Sequence, residues 1–187
     1  MNGVTHFVGV VLSIIGTFAL ISLTLDPYKP AHLISFMIFG LGMILLYSTS
    51  TLYYWLKLSE AGVKKLRKAA HIMIFIYIAA TYTPICIVTL TGTLGWSLLT
   101  TIWLFALGGI IIKILWMTAP RWLSTVIYVL MGWSVIVAIY PLVTILPLGA
   151  LSWLIGGGLF YTVGAVIYAL KKPDPYPGWL GFHEIFH

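Results

Sequence analysis

The residues best suited to chemistry in this sequence stand in its last seven letters, "GFHEIFH" at 181–187. His183 and His187 are four apart, with Glu184 beside the first, which is the pattern H-E-x-x-H. On a helix, positions i and i+4 share a face, so two imidazoles can grip one Zn²⁺ while the glutamate acts as a base. A protease-type site of this kind needs a third ligand, and none follows His187 in the sequence. The competing reading is a pair of interfacial histidines lying among lipid headgroups. A second pair, Ser50 and Tyr54 in "STSTLYYWL", is also spaced i, i+4. Tyr53, Tyr54 and Trp55 equally fit an aromatic belt where a helix meets the headgroup layer. In "KAAHIMIFIYIAATYTP", His71 suits either a polar site or a snorkelling position, and Thr81 and Thr83 can satisfy carbonyls loosened near Pro84.

The elements that carry these residues are membrane helices. Of 187 residues, 61% are hydrophobic and 7% charged, with a mean hydropathy of +1.07. A soluble globule needs far more charge to cover its surface. Apolar runs of about 20 residues, enough to cross a hydrocarbon core of roughly 30 Å, recur along the chain. They place helices near 6–25, 31–55, 70–90, 96–117, 122–140 and 148–170. The breaks between them, "DPYKP", "TGTLG", "TAPR" and "KKPDPYPG", are rich in turn residues. Pro84 and Pro141 should kink the helices they enter, and Gly156, Gly157 and Gly158 should let a neighbouring backbone approach closely. The expected fold is all-α: a polytopic membrane helix bundle forming one transmembrane domain over 1–187, with 181–187 as the stub of a further helix.

Charge sets the orientation. The formal net charge of +6 is carried by basic loops facing anionic lipid rather than by a nucleic-acid surface. Lys57, Lys64, Lys65, Arg67, Lys68, Lys113, Arg121, Lys171 and Lys172, nine of the ten basic residues, flank the second, fourth and sixth connections. Those connections share a side with the N-terminus, so both are expected in the cytoplasm. His6, His71, His183 and His187 then map to that inner face, and His32 to the outer one. Cys86 is the lone cysteine, so neither an intrachain disulfide nor a cysteine-based metal site can form. Residues 1–25 contain no Lys or Arg, unlike the start of a cleavable signal, so the first apolar run is expected to be a retained helix.

Taken in order, "NGVTHFVGVVLSIIG", "STLYYWL", "HIMIFIYIAATYTP" and "GFHEIFH" resemble the hemolysin III family, bacterial relatives of the adiponectin and progestin receptors. The resemblance covers nearly the whole chain. It implies seven helices, of which six are present here, around a cavity open toward the cytoplasm. It also implies a zinc ion near the inner face, held by one histidine at the end of helix 2 and two at the start of helix 7. His183 and His187 match the helix-7 ligands, Ser50 matches a serine one turn before the helix-2 ligand, and His71 and His6 match histidines of the bacterial branch. The helix-2 ligand position is Tyr54, and Ala70 stands where an aspartate normally orients the zinc-bound water. The third ligand is therefore open, with Tyr54, His71 and His6 as candidates, and zinc is expected to bind weakly.

The activity implied is zinc-dependent intramembrane hydrolysis of a lipid amide such as ceramide, in a bacterial plasma membrane. Zinc lowers the pKa of a bound water to about 7 and polarises the carbonyl. Ser50 and Glu184 are the candidate catalytic residues, with Ser50, Tyr54 and His71 lining the cavity. The alternative is a non-enzymatic membrane protein, a cytolysin or a regulator of membrane state. A wide pore should show polar stripes along several helices, and these helices carry almost none at mid-depth.

Overall fold

The computed structural model describes residues 2–116 and 120–170. Helix α1 spans Asn2–Ser22, α2 Pro30–Trp55, and α3 Glu60–Pro84, which runs on into a π-helical turn at Ile85–Thr89. Helix α4 spans Thr93–Leu115 and α5 Arg121–Trp133; a 3₁₀ segment, Ser134–Ala138, joins α5 to α6 at Ile139–Ile145, and α7 is Leu148–Leu170. Six segments are long and apolar enough to cross a membrane: Gly3–Ser22, Pro30–Trp55, Glu60–Thr89, Thr93–Leu115, Trp122–Ile145 and Leu148–Ile167. The protein is thus an all-α, multi-pass membrane protein. The chain divides into two compact units, Met1–Met117 and Thr118–His187.

Local chemistry explains most boundaries. Pro30 opens α2 at a position where no N–H is needed. Ser59 caps α3, its hydroxyl oxygen accepting from Gly62 N–H at 3.4 Å, and Glu60 in the first turn favours the positive end of the helix dipole. The reading of 57–68 as a loop, with a helix from 70, needs correction here: α3 begins at Glu60. Glu, Ala, Lys, Leu and Arg are strong helix formers, and their charge marks where the bilayer ends rather than where the helix does. Helix α1 likewise starts before residue 6, and the fifth span runs past 140 to Ile145.

Both prolines perturb the backbone, each differently. Pro84 closes α3, and the widened turn after it is sealed by Leu90 N–H donating to Ile85 O at 2.9 Å. Pro141 sits in the first turn of α6, just after the 3₁₀ segment, where a missing donor costs little.

In the first unit, four helices run alternately up and down, and side-chain contacts fix their register. Gly3 meets Tyr54 and Trp55, Gly9 meets Tyr47, and Gly40 meets Thr17, so α1 and α2 are antiparallel along most of their length. Phe39 stacks on Tyr77 at 6.3 Å and Gly42 faces Ala80, which sets α2 against α3. Between α3 and α4, Trp103 Nε1–H donates to Thr83 Oγ1 at 3.4 Å and Lys68 Nζ donates to Ile114 O at 3.1 Å. The core lies along this α3–α4 seam, where Phe75, Ala79, Ala80, Ile102 and Ala106 are buried.

Two glycines make the seam. A Cβ on Gly109 would collide with the Phe75 ring, so only glycine lets α4 come this close. A Cβ on Gly95 would strike the carbonyl oxygens of Cys86 and Leu90, which is why the return from the π-helical turn needs glycine there as well. Outward faces are apolar: on α1, Leu12, Ile15 and Phe18 are 60–70% exposed, as lipid-facing side chains should be.

In the second unit, α7 is pinned to α5 through Tyr161. Its hydroxyl donates to Tyr128 O at 2.7 Å, and its ring covers Gly132. No described residue of a neighbouring element within this unit packs against Gly156, Gly157 or Gly158. Within this unit α7 meets its neighbour lower down, at Tyr161.

Candidate functional site

The meander of the first unit gathers polar side chains at one end: the end where α1 begins, α2 stops, α3 begins and α4 stops. Lys57, Lys64, Lys65, Arg67, Lys68 and Lys113 belong to this end, whereas Lys29 precedes α2 at the other. Within this unit the charge asymmetry read from the sequence therefore follows the fold; Arg121 belongs to the second unit, and Lys171 and Lys172 lie outside the described residues.

His6 lies one turn into α1 and is only 6% exposed. Antiparallel packing sets its ring between two tyrosines of α2. It stacks on Tyr54, with centroids 5.7 Å apart and planes 11° from parallel, and is tilted against Tyr47 at 5.9 Å. Tyr47 and Tyr54 are seven residues apart, two helical turns, and so share a face. Ser50, one turn before Tyr54, is buried at 9% exposure.

Contacts continue from Tyr54 into α3. Tyr53 meets Tyr54 edge to face at 5.3 Å, and its hydroxyl accepts from an Arg67 guanidinium N–H at 3.2 Å. The Arg67 backbone carbonyl in turn accepts from His71 Nδ1–H at 2.7 Å. A donating Nδ1 puts the lone pair of the neutral imidazole on Nε2. The chain His6–Tyr54–Tyr53–Arg67–His71 thus ties three helices together. Ala70 precedes His71 on α3 with a methyl group where a carboxylate could have accepted a hydrogen bond.

Lys113, in the last turn of α4, is buried at 8% exposure, where a cation favours the negative end of the helix dipole. Beside the chain of contacts, a cleft of ≈ 280 Å³ is lined by Leu58, Glu60, Val63, Lys64 and Arg67.

Of the residues singled out from sequence, the structure joins His6 directly to Tyr54, and joins Tyr54 to His71 through Tyr53 and Arg67. Ser50 lies on the same helix face as Tyr54. His183, Glu184 and His187 lie outside the described residues. Among the described residues, no group of three His, Cys, Asp or Glu side chains is placed to hold a metal ion. Tyr47 and Arg67 were not singled out as site residues. The signal for Tyr47 was its two-turn spacing from Tyr54; that for Arg67 was its place one turn before His71.

Comparison with known proteins gives a consistent picture. The sequence matches the family described as "Haemolysin-III related" over residues 1–187. It is 39% identical to the Hemolysin-3 homolog of Bacillus subtilis (strain 168) over 183 residues, covering 97% of this chain and 85% of the relative. It is 40% identical to Hemolysin-3 of Bacillus cereus over 172 residues, covering 91% and 78%. The Monocyte to macrophage differentiation factor of Homo sapiens is 26% identical over 193 residues, covering 100% and 75%. No solved structure matches the chain. Six apolar spans and a family match along the full length lead to one assignment: the chain belongs to the haemolysin-III-related family of membrane proteins.

Proposed function

We propose that this chain is a hemolysin III-type protein of the cell membrane, with the polar end of its first unit facing the cytoplasm. In this reading it is built on a lipid-amide hydrolase plan, and its zinc site is weakened to the point of holding metal poorly and turning over little substrate. The observation that carries the reading is Tyr54 stacked on His6. The described residues offer one imidazole and one phenol at that position, and these do not by themselves fit a zinc ion. Phenol is an uncommon zinc ligand beside imidazole, thiolate and carboxylate. Ala70, next to His71, offers no acceptor to orient a bound water, a loss typically worth about 10- to 100-fold.

The test is elemental analysis of purified protein after dialysis against a weak chelator, together with ceramide turnover by the same sample. Well under one zinc per chain is expected, with turnover near the detergent blank. About one tightly held zinc per chain, lost on His183→Ala, overturns the proposal.

Two similar proteins carry the names Hemolysin-3 and Hemolysin-3 homolog, which supports membrane permeabilisation as a second reading. Dye release from vesicles containing the protein separates the two, since a weakened hydrolase leaves the dye inside.

Orientation has its own check. In a Cys86→Ala background, Glu60→Cys should react only with a reagent that reaches the cytoplasmic side, and Thr93→Cys only from outside. Reaction of both from the same side defeats the assigned topology.

A further inference from the structure

Helix α3 is longer than a membrane requires. With its π-helical turn it forms a continuous segment of 30 residues, Glu60–Thr89. At 1.5 Å per residue that is about 45 Å, against a hydrocarbon core of roughly 30 Å. About ten residues must therefore stand in or beyond the headgroup layer. The charged ones, Glu60, Lys64, Lys65, Arg67 and Lys68, all fall in the first nine positions of α3.

These charges divide by helix face. Glu60, Val63, Lys64 and Arg67 occupy i, i+3, i+4 and i+7, a single stripe. The same four residues, with Leu58, line the ≈ 280 Å³ cleft. Lys68 is turned away to Ile114 O on α4. The cleft therefore carries two cations toward the membrane end and a carboxylate toward the N-terminal end of α3, with Val63 between them and Leu58 beyond the carboxylate. Arg67 donates one N–H to Tyr53, which orients a guanidinium that has five N–H donors in all. An oriented guanidinium fits phosphate oxygens, and the Lys64 ammonium adds a point charge beside it. Glu60 lies one helical turn from Lys64, roughly 6 Å along the axis.

We propose that this cleft is a headgroup site for an aminophospholipid of the surrounding leaflet, of the phosphatidylethanolamine type. The phosphodiester lies on Lys64 and Arg67, the primary ammonium reaches past Val63 to Glu60 at the N-terminal end of α3, and the glycerol leads from Arg67 back toward the bilayer. Phosphatidylglycerol satisfies the two cations and gives Glu60 no cation. Phosphatidylcholine brings a trimethylammonium that donates no N–H hydrogen bond. The site stands apart from the metal question, because it uses neither His6, Tyr54 nor His71.

The test uses the full chain, purified in detergent, stripped of lipid and offered equimolar phosphatidylethanolamine, phosphatidylglycerol and phosphatidylcholine with identical acyl chains. Lipid retained per protein is read by native mass spectrometry. Phosphatidylethanolamine should be retained several-fold over the other two. Lys64→Gln with Arg67→Gln should reduce it to the phosphatidylcholine level. Glu60→Gln should make phosphatidylethanolamine and phosphatidylglycerol equal, and Lys65→Gln, off the stripe, should change nothing. Equal retention of phosphatidylethanolamine and phosphatidylglycerol by the unaltered protein overturns the proposal. So does a preference that survives the Lys64/Arg67 double substitution in protein whose melting temperature is unchanged.

Discussion

Substituting Tyr54→His together with Ala70→Asp should raise zinc affinity by at least about 10- to 100-fold, the range that an outer-shell partner alone typically controls. The first change puts an imidazole at the end of α2, where Tyr54 now stacks on His6. A histidine there keeps an aromatic ring against His6, so the α1–α2 packing should survive. The second places a carboxylate one residue before His71, at the end where α2 stops and α3 begins. The measurement is competition for zinc against a chromophoric chelator, comparing unaltered, single-variant and double-variant proteins. Tyr54→His alone should account for most of the gain, because it adds a ligand, and Ala70→Asp should matter only in its presence. Equal affinity across the series would mean that the metal, if bound, draws its ligands from elsewhere.

The largest loss of stability is expected at Phe75. Its side chain is 1% exposed and packs where Gly109 brings α4 against α3. In a soluble core Phe→Ala costs about 3–5 kcal/mol, the sum of lost transfer energy and a cavity. Lipid is as apolar as a protein interior, so in the bilayer the transfer part largely drops out. The cavity part remains, at about 24 cal/mol per Å³ of void, which makes a cost on the order of 2 kcal/mol reasonable for Phe75→Ala. Gly109→Leu drives bulk into the same space and should cost about 1–3 kcal/mol. Placed together, the two should cost less than their sum, with a coupling of about 0.5–3 kcal/mol, because leucine fills the void that alanine leaves. Thermal unfolding in one detergent gives all three values. Strict additivity would mean that the seam tolerates each change independently and does not rest on this contact.

Hydropathy located the spans because a bilayer imposes a length on apolar runs, and every one of the six reappears. Where hydropathy misled, it was measuring the wrong boundary. "SEAGVKKLRK" carries a cap, an acidic first turn and good helix formers, all of which spell a helix start at Glu60, yet its charge ends the apolar window near 70. The π-helical turn after Pro84 and the 3₁₀ segment at Ser134–Ala138 left no comparable mark, because both depend on how helix ends are packed. The polar end was legible in part. Basic residues and histidines could be counted onto one face, whereas the pairing of His6 with Tyr54 required the α1–α2 register. That register is set by Gly3, Gly9 and Gly40 meeting side chains far away in the sequence. Spacing within one helix cannot supply it.

Many helical hydroxyls in this protein are spent on their own helix. Ser13 donates to Gly9 O, Thr17 to Ser13 O, Thr49 to Leu45 O, Thr51 to Tyr47 O and Thr162 to Gly158 O. Each of these groups is content wherever the helix goes, so it adds little to holding two helices together. Apart from a few bonds such as Trp103 to Thr83 and Tyr161 to Tyr128, cohesion falls to shape, to rings seated on glycines, and shape is sensitive to whatever squeezes the helices from outside. A bundle held this way should respond to the lateral pressure of its solvent. It should be firm in a bilayer of matched thickness and loosen as acyl chains are shortened, with the helices themselves staying intact while their seams part.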